Sequence, residues 1–207
     1  MEAFATSLQA DLRQLISDAK RNDSLSSQIS GFFSGPENPA VKEASERAIL
    51  KIRSFTGPQV VEKIRDSQDV LHPFLIACES RNTKLAVTAL ACIQKLISNG
   101  ALAAERVPEV LASMQQVEKL NDEIIKLKVL QTALALLQSK VNINDEKSVQ
   151  ATLALCFRVL CHTRNTDSVL STAGATVRQG IAVVFDHAQE QCQAGHGGGA
   201  QSGAATK

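Results

Sequence analysis

Apolar residues return every three to four positions along nearly the whole chain, and almost nowhere do they alternate. In FATSLQADLRQLISDAKR (4–21), Phe4, Leu8, Leu12, Leu15 and Ile16 share one face of a helix that turns ~100° per residue. The Ser-, Gly- and Pro-rich stretch at 22–38 breaks this pattern and is expected to be a flexible inserted loop, with Phe32 and Phe33 tucked onto the body. From Pro39 the period resumes. AVKEASERAILKIRSF is amphipathic and stops at TGP, and PQVVEKIRDS opens with Pro58 in a first turn. In DVLHPFLIACES, Pro73 is expected just inside a helix start, with Val70 to His72 leading in. NTKLAVTALACIQKLISNG has Asn82 as its N-cap and ends at Gly100. Four more segments follow, centred near Leu111, Leu130, Leu153 and Val177, most of them opened by Asn or Asp.

About nine helices with short connections predict an all-α chain without strands. On the helix around Leu130, the apolar positions Ile125, Leu127, Val129, Leu130, Ala133, Leu134, Leu136 and Leu137 spread over roughly 200°, about twice what a surface helix needs. Such helices lie between layers, which predicts an irregular armadillo/HEAT-like solenoid over 1–193. The tail at 194–207 is Gly- and Ala-rich and reads as a disordered linker.

Composition removes several functions. Lys plus Arg total 22 against 21 Asp plus Glu, and there is neither Trp nor Tyr, so nothing concentrates positive charge or stacks bases for nucleic acid. The N-terminus has no basic segment before an apolar run, which argues against a signal peptide. The five cysteines are an odd, scattered set, and Cys78, Cys92, Cys156 and Cys161 lie within apolar helical patterns. Reduced thiols in a cytosolic protein fit them better than a disulfide framework.

LCFRVLCHTR (155–164) crowds Cys156, Cys161 and His162 together. On a helix the two thiols are ~140° apart and His162 is ~100° or more from either, so the three cannot close on one metal. Val149, Leu153, Cys156, Phe157 and Leu160 read instead as a buried stripe, with Cys161 at its edge. HGGG (196–199) matches an esterase oxyanion loop, yet the chain has no G-x-S-x-G elbow; Walker, G-x-G-x-x-G and H-E-x-x-H patterns are also missing. The expectation is a protein without catalytic, metal or cofactor residues, acting by contact.

The candidate contact residues flank the apolar arcs. In the last helix the buried stripe is expected to be Leu170, Ala173, Val177, Ile181, Val184 and Phe185, with Arg178 beside it and Gln179 pointing away. Lys128, Gln131 and Gln138 form a polar strip on the helix around Leu130, and Arg158 takes the matching place on the cysteine helix. These six are read as one interaction surface. The alternatives are that Arg178 braces a neighbouring helix through its stem and a cap carbonyl, and that the others form an ordinary solvated face. Ile124, Val159 and Val183 fall outside the main stripes and could form an apolar patch for self-association.

The ordered set HPFLIAC (72–78), LACIQKL (90–96), KLKVLQTALALL (126–137), LALCFRV (153–159), ATVRQ (175–179) and VVF (183–185) resembles the N-terminal dimerisation and cyclophilin-binding (DCB) domain of the large Golgi Arf exchange factors. ATVRQ and LCFRV favour the non-catalytic Mon-two branch of that family, and PAVKEASERAILKIRSF fits its second helix. The resemblance implies an armadillo-like scaffold that pairs with itself or with a following homology-upstream-of-exchange (HUS) domain. It further implies recruitment through an Arf-like small GTPase, association with a Dopey-type protein, and peripheral residence on the trans-Golgi network and endosomes. Two alternatives stay open: the regulatory N-terminus of a catalytic Arf exchange factor, and a generic HEAT-type adaptor.

Overall fold

The structure is a computed structural model that describes residues 2–20, 38–139, 145–162 and 165–196. Residues 22–37 of the expected inserted loop, including Phe32 and Phe33, and 197–207 of the expected tail lie outside these residues; the tail's first three positions, 194–196, are helical.

The described residues form nine α-helices and no strand: α1 Glu2–Lys20, α2 Pro39–Ser54, α3 Val60–Asp66, α4 Gln68–Glu79, α5 Thr83–Ser98, α6 Val107–Glu118, α7 Glu123–Gln138, α8 Glu146–Leu160 and α9 Asp167–His196, with a 3₁₀ turn at Ala104–Arg106 before α6. Packing runs in order through the stack. α1 lies on α2 and α5, α4 touches α2, α5 and α6, α5 packs on α7, and α7 meets both α8 and α9. This layered succession is the all-α solenoid that the broad apolar arcs predict.

Each helix end has a local cause. Asn82 accepts from the amides of Lys84 and Leu85, Asp122 from Ile125 and Asp145 from Ser148. α5 stops where Gly100 takes φ 65°; the Ala101 amide reaches back to the Leu96 carbonyl at 2.9 Å and the Gly100 amide to Ile97 at 3.1 Å. That double closure needs a residue without Cβ strain at Gly100. Asn82→Ala should lower stability by about 1 kcal/mol, measured as a shift in urea midpoint at unchanged m-value. Pro73 departs from expectation: α4 starts at Gln68, so Pro73 sits in its second turn, buried, rather than at the helix start.

The core is continuous from Leu8, Leu12 and Leu15 of α1 through Phe74, Leu90 and Met114 to Leu130, Leu136 and Cys156. α1 is also held by charge. Asp18, almost fully buried, accepts from Lys84 at 3.0 Å and Gln14 at 2.9 Å, while Lys95 binds Ser7 at 2.9 Å and pairs with Asp11.

The C-terminal layer differs most from the periodicity. The face of α8 that packs inward is Ser148, Thr152, Leu155, Cys156 and Val159, and that of α9 includes Val169, Ala173, Thr176, Val177 and Gly180. Phe157 is exposed, and Leu170, Ile181 and Phe185 lie on the outside of α9 instead of in its buried stripe. The reason is close approach. A Cβ on Gly180 would stand 2.7 Å from Leu137 Cδ1 and 3.3 Å from Leu153 Cδ2, so α9 turns its small residues into the groove between α7 and α8. Large side chains on that face would hold the helices apart. The buried hydroxyls cost little, since Thr152 bonds the Ser148 carbonyl at 2.6 Å within the helix.

Candidate protein-interaction surface

Cysteine chemistry is settled first by burial. Cys78, Cys92 and Cys156 are buried, whereas Cys161 and Cys192 are exposed. Burial pushes the thiols of Cys78 and Cys92 up to about 12 and that of Cys156 up to about 11, the carboxylates of Glu79 and Asp11 adding to the first two in turn. A buried, protonated thiol is a poor nucleophile. In the folded protein at pH 8, N-ethylmaleimide should label Cys161 and Cys192 within minutes and the other three only under denaturant, as read by intact mass. Cys156 is thus core, as its helix position predicts. Among the described residues, no three His, Cys, Asp or Glu side chains converge as a metal site would require. No helix among them is long and apolar enough to cross a membrane.

A built polar node joins the last three helices. Lys126 of α7 is only 3% exposed, and its ammonium meets Asn121 Oδ1 at 2.5 Å, Asn165 Oδ1 at 2.8 Å and His162 Nδ1 at 3.5 Å. Asn165 in turn donates to the Val159 carbonyl near the end of α8, and Thr166 Oγ1 donates to Glu123 at 2.9 Å. Asn121 follows the C-terminus of α6 and His162 that of α8, so two negative dipole ends face the ammonium. Lys126 lay within the apolar run of KLKVLQTALALL and gave no sign of this role; the Asn residues in the two connections were the available signal.

Of the six expected contact residues, Arg158, Arg178, Gln131, Gln138 and Gln179 are exposed and Lys128 is half-buried. Lys128, Gln131 and Gln138 follow a single outer line of α7, which Ile124 begins at 58% exposure. Gly180 marks the packed direction of α9; around that helix, Gln179 stands ~100° to one side and Arg178 ~160° away. Arg178 therefore points outward, not beside the buried face as expected. Among the described residues it bonds no cap carbonyl, so its geometry is not that of a brace. Of the expected apolar patch, Val159 is buried, Val183 half-buried and Ile124 exposed.

What the periodicity missed, Ile124 apart, is the apolar part of the surface. Six large hydrophobic side chains are exposed, and five of them, Ile124, Phe157, Leu170, Ile181 and Phe185, belong to α7, α8 and α9; Leu50 of α2 is the sixth. Residues that looked like core in a helical wheel became surface once the small residues claimed the packed face.

Comparisons with known proteins fit this architecture. Residues 1–192 match the family described as the Mon2/Sec7/BIG1-like dimerisation and cyclophilin-binding domain. The chain is 31% identical over 182 residues to the Protein MON2 homolog of Xenopus laevis and 30% identical over 182 residues to that of Homo sapiens, 86% of this chain in each case. It is 27% identical over 160 residues, 72% of the chain, to the Brefeldin A-inhibited guanine nucleotide-exchange protein 2 of Arabidopsis thaliana. The chain spans 9% of the length of each of these three relatives. Matched over residues 1–192, this helical stack belongs to the DCB domain family of MON2 and the related exchange proteins.

Proposed function

We propose that this chain is a non-catalytic scaffold of a Golgi–endosome trafficking protein, working through the outer edges of α7, α8 and α9. The observation that carries this is the concentration of exposed apolar side chains on that layer, beside the outward-pointing Arg158 and Arg178. Apolar exposure concentrated on one layer supports a contact role, since large exposed apolar patches mark interaction sites. In this reading the domain pairs with itself or with a HUS domain. It takes part in recruitment through an Arf-like small GTPase and association with a Dopey-type protein, and reaches the trans-Golgi network and endosomes peripherally, through partners.

The test combines light scattering with a pull-down against GTP-loaded Arf-like GTPases and a HUS fragment, using the whole chain, Lys128→Glu and Arg178→Glu. The expected result is at least a tenfold loss of one association at unchanged thermal stability. Both variants binding like the parent would sink the proposed surface. The alternative, a regulatory N-terminus of a catalytic exchange factor, is favoured by the Arabidopsis likeness; an exchange domain in the full-length protein would support it.

A further inference from the structure

We draw no further inference here: the strongest candidate, the shallow depression at the start of α4 lined by Lys51, Lys63 and Ser67, whose buried hydroxyl has no partner among the described residues, is lined equally by Asp66 and Asp69, and nothing in the structure shows what group fills it.

Discussion

Gly180→Leu is expected to destabilise the chain by about 3 kcal/mol, the upper part of the range for overpacking a closed core, and to free α9 from the stack. A glycine in a helix interior ordinarily gives away about 1 kcal/mol relative to alanine, so its presence needs a reason. That reason is the 2.7 Å separation between a Cβ at this position and Leu137 Cδ1. Leu137 is fully buried and cannot swing into solvent, and Leu153 closes the other side at 3.3 Å. Leucine adds three further carbons in that gap. Gly180→Ala should fall within about 1 kcal/mol of the parent, its helix propensity offset by the shift of one leucine methyl. Gly174→Ala is the control, with open space at its Cβ; it should stabilise by about 0.5–1 kcal/mol. Urea unfolding followed by circular dichroism ranks the three. A leucine variant as stable as the parent would mean that α9 does not pack through Gly180.

The same glycine explains how much of the fold could be read in advance. Helix existence and order were legible because apolar spacing, the Asn and Asp caps and Gly100 all speak about local structure. The core of α5 and α7 was legible too, since Leu90, Ile93, Leu130 and Leu136 are large, regularly spaced and fully buried. In α8 and α9 the rule that large apolar residues point inward holds for Leu155, Val159, Val169 and Val177 and fails for Phe157, Leu170, Ile181 and Phe185. Packing there is decided by how near two backbones can come, and Gly180, Ala173 and Thr152 permit contact that Phe157 and Phe185 would prevent. A hydrophobic wheel weights side chains by transfer energy and so draws these four inward, although Cys156, Ala173 and Val177 of the expected stripes are buried. The candidate surface inherited that error. Five of its six polar residues are exposed and Lys128 is half-buried, Arg178 points outward, and Phe157, Leu170, Ile181 and Phe185 stand outside the core.

Lys126→Ala should cost about 2–3 kcal/mol, the range for breaking a buried polar network by removing one member. The ammonium holds Asn121 and Asn165, the two connections that close α6 to α7 and α8 to α9. Alanine leaves both amide oxygens without their donor and opens a void where the aliphatic stem passed. Lys126→Met separates the two effects: it keeps the stem and removes the charge, so it should recover roughly half the loss. A double-mutant cycle with Asn165→Ala then measures the contact itself, with an expected coupling of about 1–2 kcal/mol. The second readout is local. Amides at 165–170 should exchange with solvent faster in Lys126→Ala than global stability accounts for, because α9 loses its anchor before the core opens. Lys126→Ala with parental stability and unchanged exchange at the start of α9 would show that the dipole ends of α6 and α8, not the lysine, hold that corner together.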